Sequence, residues 1–238
     1  MAAASSAAAP AAAARETRGA AATGALLAFT AGFVDTCGFI ALFGLFTAHV
    51  TGNFVLIGAA IAESHQGLIG KLLALPVFVS VVAATHLFVQ RRQRRNRTAA
   101  RPVLVGQIVF LALFLLAGVA ASPFANADAP LAIAAGMLGV AAMAIQNAAS
   151  RTVFASLSPT TVMTGNVTQI VIDLVDLMGN AAAAEGTRAR LGKMGAAVAA
   201  FAVGALGAGF GYVAAGFWCL AVPILAVAVV LVRQARAR

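Results

Sequence analysis

The chain has 238 residues, 62% of them apolar and only 10% charged, with a mean hydropathy of +0.96. Soluble domains carry about 25% charged residues, so this composition excludes a soluble enzyme, a nucleic-acid-binding domain and a disordered protein. Sixteen Lys and Arg against seven Asp and Glu give a net charge of +9. The basic residues cluster between apolar runs, as in cytoplasmic loops beside an anionic leaflet.

In chain order, residues 1–23 are Ala-rich and of low complexity and read as a disordered tail. Arg15 and Arg18 precede an apolar run, as in a signal peptide. The run continues for about 20 residues without an A-x-A site, so it reads instead as a retained signal-anchor helix. A bilayer core takes about 20 apolar residues as helix, and full-length candidates are 24–44, 70–90, 102–121, 131–149, 191–211 and 213–232. Two shorter segments, 50–63 and 163–178, reach roughly 21–24 Å, short of the ~30 Å hydrocarbon thickness. Residues 233–238 form a basic tail.

The basic loops decide what the short segments do. With eight full crossings, either the arginine-rich loop 91–101 or the cluster Arg188, Arg190 and Lys193 falls outside, against the positive-inside rule. If both short segments enter and leave on one side, six spans remain. Every Lys and Arg except Lys71 then faces the cytoplasm, as do both termini. An eight-helix bundle with partly buried short helices is the alternative. The expected fold is an all-α polytopic transmembrane bundle over 24–232.

The segment 46–63 repeats at 159–176. Thr47, Thr51, Gly52, Asn53 and Ile57 recur at one constant offset as Thr160, Thr164, Gly165, Asn166 and Ile170, and Glu63 falls on Asp176. Matching flanks favour duplication over a chance tripeptide. Each half, 24–121 and 131–232, then holds three spans and one short segment. An odd number of crossings inserts the second copy upside down, giving an inverted internal repeat of the kind common in secondary transporters.

The strings AGFVDTCGFIALFGLFTAHVTGN and MAIQNAASRTVFASLSPTTVMTGN resemble the YoaK-type family of bacterial inner-membrane proteins, a family named for being of unknown function. The likeness covers nearly all of 24–232. Its motif residues here are Gly32, Asp35, Thr51, Gly52 and Asn53, then Gln146, Asn147, Thr164, Gly165 and Asn166. The resemblance implies a multi-pass protein of the bacterial inner membrane and brings no activity with it.

Asp35 lies about 16 Å along its span, near the bilayer centre. A carboxylate there costs roughly 2.5–3.5 kcal/mol on insertion scales, so it should face the protein interior or a watery cavity. It suits a proton carrier; the plainer role is a buried cap for a broken helix. Thr and Asn favour helix starts and Gly permits close approach, so two half-helices beginning at Thr51 and Thr164 would aim positive dipole ends at a shared polar site. The plainer reading is a pair of capped kinks. Asn166, Gln169, Asp173 and Asp176 share one helical face. This stripe either lines a water path or pairs its carboxylates with Arg188 or Arg190.

His49, His86 and Asp173 complete the candidate proton relay, though a lone His in an apolar helix is more often hydrogen-bonded packing. Gln107 and the pair Gln146–Asn147 offer uncharged hydrogen bonds. Arg151 is expected to snorkel to the cytoplasmic face rather than bind an anion. Cys37 and Cys219 read as packing residues. Gly204, Gly207, Ala208 and Gly211 form a small-residue face for packing within the chain. The same face leaves a homo-oligomer open.

No metal-ligand spacing, cofactor motif or nucleophile–base pattern is present, so no enzyme activity, metal or cofactor is expected. The leading expectation is a small secondary transporter or permease, proton-coupled through Asp35, for a small polar or anionic solute. A passive channel and a non-transporting assembly or regulatory protein are the alternatives. The expected partners are the bilayer and the solute, with no nucleic acid.

Overall fold

The computed structural model describes residues 2–62, 67–179 and 184–236, and these contain helices and loops and no strand. Its α-helices are α1 (Ala2–Ala41), α2 (Gly52–Ala62), α3 (Leu68–Arg94), α4 (Ala100–Ala121), α5 (Pro130–Arg151), α6 (Met163–Gly179), α7 (Ala184–Ala215) and α8 (Ala221–Arg236), with a 3-10 turn at Gly216–Leu220. Five stretches are long and apolar enough to cross a membrane: Gly19–Ala41, Leu68–Arg94, Ala100–Ala121, Pro130–Arg151 and Gly186–Arg236. The chain is thus a multi-pass membrane protein. The last stretch runs for 51 residues, about 75 Å if straight, and is broken where Gly216 takes a positive φ of 55°. Beyond that turn Cys219 lies back beside Gly211, and α8 packs on α4 and α1. The stretch therefore makes two crossings, in agreement with the spans expected at 191–211 and 213–232.

One reading differs in its first element. Residues 1–23 were expected to be a disordered tail, whereas α1 runs without a break from Ala2. Alanine has the highest helix propensity of any residue, so an Ala-rich tract continues the helix that follows it. At the other end α1 stops at Ala41, where Phe43 and Gly44 take positive φ values of 55° and 82°.

The helices do not associate in chain order. Helix α1 packs on α7 and α8, whereas α5 packs on α3 and α4; α2 rests on α3, and α6 on α7. Contacts of α4 with α8 and of α1 with α5 join the two groups. In the apolar windows of α1 and α5, 67% of residues are buried, against 11% in α3. The two central helices are therefore α1 and α5, each serving the group made from the other part of the chain.

The closest approach is between α1 and α7. A Cβ added at Gly32 would run into the carbonyl oxygen of Phe201, and one at Gly204 into the carbonyl oxygen of Phe29. Two glycines thus let the backbones meet, as small residues do where membrane helices cross. Gly207 and Gly211 continue this face against Phe33. The small-residue face of α7 is used within the chain.

Two rims bound the bundle. At the first, Lys71 in the opening turn of α3 donates to the carbonyl of Phe43 (3.0 Å). Asp128, in the loop between α4 and α5, accepts from the amides of Gly67 (3.4 Å) and Ile69 (3.3 Å). The chain leaves α1 and enters α3 at this same rim, so α2 is re-entrant. At the second rim Leu157 and Ser158 border a small cavity with Ala20, Gly24, Lys193 and Ala197. The segment between α5 and α7, including α6, therefore enters and returns there. The second rim also carries the α3–α4 loop with Arg95 and Arg97, flanked by Arg94 of α3 and Arg101 of α4, and it is the basic rim. Glu63 lies outside the described residues.

Candidate functional site

The polar residues of the interior gather where the re-entrant segments dock on α1 and α5. Asp35 is buried on α1, and its Oδ1 accepts the backbone amides of Thr47 (2.8 Å), Ala48 (2.7 Å) and, more distantly, His49 (3.4 Å). The Thr47 hydroxyl lies 3.4 Å from both this oxygen and the Val34 carbonyl. Its methyl group lies where Cβ atoms at Gly38 and Gly139 would stand, so the loop tip is wedged between α1 and α5. A carboxylate that collects several amide hydrogens holds a loop far more firmly than neutral acceptors do. Asp35 is thus the anchor of the loop that precedes α2.

Within each Thr-Gly-Asn the residues divide their work differently from simple capping. Thr51, Thr164 and Gly165 are exposed, whereas Asn53 and Asn166 are buried. The Asn53 side chain turns back seven residues, accepting from the Phe46 amide (3.0 Å) and donating to the Phe46 carbonyl (2.9 Å). Asn166 makes the corresponding bond to the Pro159 carbonyl (2.8 Å). Proline has no N–H to return, so the second clasp has one bond where the first has two. Replacing Asn53 with Ala is accordingly expected to lower the thermal unfolding temperature more than Asn166→Ala. At about 1 kcal/mol per hydrogen bond, the costs are roughly 2 and 1 kcal/mol. Equal shifts in detergent would show that the clasps do not hold the loops.

The second docking site is uncharged. Gln146 on α5 accepts from Gln107 (2.6 Å) and donates to the Leu27 carbonyl (2.8 Å) and the Thr160 hydroxyl (3.2 Å). Asn147 accepts from the Thr161 hydroxyl (2.7 Å) and donates to the Met143 carbonyl (3.0 Å). Thr47 faces Gly139 and Thr160 meets Gln146, so the two loop tips sit about 10 Å apart along α5. Ala31, Val34, Val140 and Met143, all buried, lie in that stretch of α1 and α5. The two polar clusters are neighbours separated by an apolar layer.

The three candidate relay residues do not gather around Asp35. The His49 ring is exposed and stacks on Phe46, centroids 5.8 Å apart, while its amide faces Asp35. His86 sits on α3 towards the basic rim and bonds Gln90 (2.9 Å). Asp173 on α6 is held by Arg190 of α7 through both oxygens (2.5 and 2.7 Å) and by Gln169 (2.8 Å). It fastens α6 to α7, the pairing role weighed for it above. Among the described residues no group of three His, Cys, Asp or Glu could hold a metal ion.

Two pairings were not expected from the sequence. Lys71 and Asp128 together close the first rim, as described above, and the Asn126 side chain accepts from the Asp128 amide (3.0 Å) in the same turn. The thiols of Cys37 and Cys219 lie 3.8 Å apart and buried, which their isolated positions in two apolar runs do not announce.

Residues 23–233 match the family model described as "Protein of unknown function (DUF1275)". The chain is 32% identical over 150 residues to the UPF0700 transmembrane protein YoaK of Bacillus subtilis (strain 168). That match covers 63% of this chain and 64% of the relative. No solved structure matches.

Proposed function

We propose a transport function for this chain, which belongs to the DUF1275 family of proteins of unknown function: a small proton-coupled secondary transporter for a small polar or anionic solute. The observation that supports this most directly is the pair of re-entrant helices. Each enters from its own rim, each is clasped by an Asn at the same register, and the loop that precedes each docks against α1 and α5. The α-helix packings of one half have counterparts in the other: α1 on α7 with α5 on α3, α4 on α5 with α8 on α1, and α2 on α3 with α6 on α7. Such correspondence is what an inverted repeat produces, and discontinuous helices at the repeat interface form solute sites in secondary transporters.

Asp35 supplies the coupling. Ionised, it grips the loop before α2 through backbone amides; protonated, it accepts those bonds more weakly and frees the loop. Proton binding on one side and loop movement on the other are thereby one event. Reading the basic rim as the cytoplasmic one, as the positive-inside rule favours, would place both termini inside; the bacterial inner membrane is the location that the family resemblance implies.

Uptake into proteoliposomes tests this reading. A panel of small carboxylates, phosphates and polar neutral solutes is expected to include at least one taken up faster with an inward pH gradient. Asp35→Asn should abolish the gradient dependence. Single-channel conductance without such dependence would replace the transporter by a pore.

A further inference from the structure

Where α7 meets α1 backbone to backbone, the corresponding pair α3 and α5 stands apart near the basic rim. The gap is a groove of about 240 Å³, open along one side and lined by Phe78, Val82 and His86 of α3 and by Asn147, Ala148, Arg151 and Thr152 at the end of α5. Residues 78, 82 and 86 recur every fourth position and so share one face of α3 for about 12 Å. The inner part of the groove is apolar and its rim end is polar.

The groove opens along α3, the least buried of the five apolar spans. Next to it Val79 and Leu87 are exposed at 55% and 50%, the surface expected to meet hydrocarbon. At the rim end stands Arg151, in the last turn of α5. Its side chain is exposed, and no acidic group among the described residues pairs with it. The last turn of α3 adds Arg91, Arg92 and Arg94, and Arg92 folds over Phe88, 5.7 Å from the ring centroid. An apolar trough that ends in unpaired positive charge at headgroup depth complements a molecule with a negative head and an apolar tail.

We propose that this groove binds one anionic phospholipid from the leaflet on the basic rim, with its phosphate on Arg151 and an acyl chain along Phe78 and Val82. Basic pockets between membrane helices recognise anionic headgroups in this way. His86 and Asn147 flank the headgroup position. The lipid fills the space that glycine contact fills between α1 and α7, so it takes the place of a helix–helix contact. This site stands whether or not the protein transports a solute.

Native mass spectrometry of the full chain in detergent, titrated with phosphatidylglycerol or phosphatidylcholine, tests the assignment. Phosphatidylglycerol should occupy one site in preference to phosphatidylcholine. Arg151→Ala should weaken it about five-fold, the worth of one basic residue near an anionic lipid, and Arg236→Ala at the same rim should not. Val82→Trp, which fills the trough and keeps every charge, should displace the lipid as well. Equal losses with Arg236→Ala would reduce the effect to bulk charge and overturn the site. Undiminished binding in Val82→Trp would overturn it, as would inorganic phosphate binding as tightly as the lipid. So would a dimer that covers the groove and excludes lipid.

Discussion

Replacing Gly204 with alanine is expected to cost the protein more stability than any other single methyl group added to α7. The added Cβ would collide with the carbonyl oxygen of Phe29, and a backbone atom in a helix interior cannot rotate away as a side chain would. The helices must separate, and the contacts of Phe29, Phe33 and Phe201 loosen together. Overpacking usually costs about 1–3 kcal/mol, and this site belongs at the upper end of that range. Gly32→Ala, which meets the Phe201 carbonyl from the other helix, should behave alike. Gly209 on the same helix has no atom within 4 Å of its added Cβ. There alanine should be neutral or slightly stabilising, since it is the better helix former by about 1 kcal/mol. Thermal unfolding of the three variants in one detergent decides the matter. If Gly204→Ala and Gly209→Ala unfold together, the close crossing of α1 and α7 is wrong.

Asp35→Ala comes second in size. It strands the amides of Thr47 and Ala48, which lie 2.8 and 2.7 Å from the carboxylate. A hydrogen bond to a charged group is worth about 1.5–3 kcal/mol, partly offset because a buried carboxylate is itself costly to desolvate. A net loss of about 3 kcal/mol is expected, or roughly 6–12 °C in unfolding temperature for a chain of this size. Asp35→Asn keeps an oxygen in the same place and should lose no more than half of that. Pairing the two variants separates structure from coupling. If the Asn variant is nearly as stable as the parent yet loses its response to a pH gradient, the charge matters beyond the fold. An Ala variant that melts with the parent would mean that Asp35 does not anchor the loop.

Both experiments probe features of unequal visibility in the sequence. The spans were legible because hydropathy and helix length leave few choices, and the short segments were legible because α2 and α6 fall below the length of a crossing. The offset repeat named Asn53 and Asn166 as equivalent, but it gave them as helix caps, and their clasps back to Phe46 and Pro159 were not legible. The partners of Asp35 were hidden, since backbone amides leave no mark in residue types. Equally hidden was the exchange of α1 and α5 between groups: apolar faces of similar composition do not say which helix they meet. Gly32 and Gly204 carried half of that information, but two glycines far apart in sequence do not declare themselves a pair.

The exchange has a consequence for how the protein is made. Cys37 of α1 lies against Cys219, 182 residues later in the chain. At roughly 5–20 residues per second, the partner leaves the ribosome some 10–40 s after α1 does. During that wait the nascent helix sits in lipid with its glycine seam bare of α7. Only the loop that follows it, synthesised within a second or two, is at hand to shield the carboxylate of Asp35.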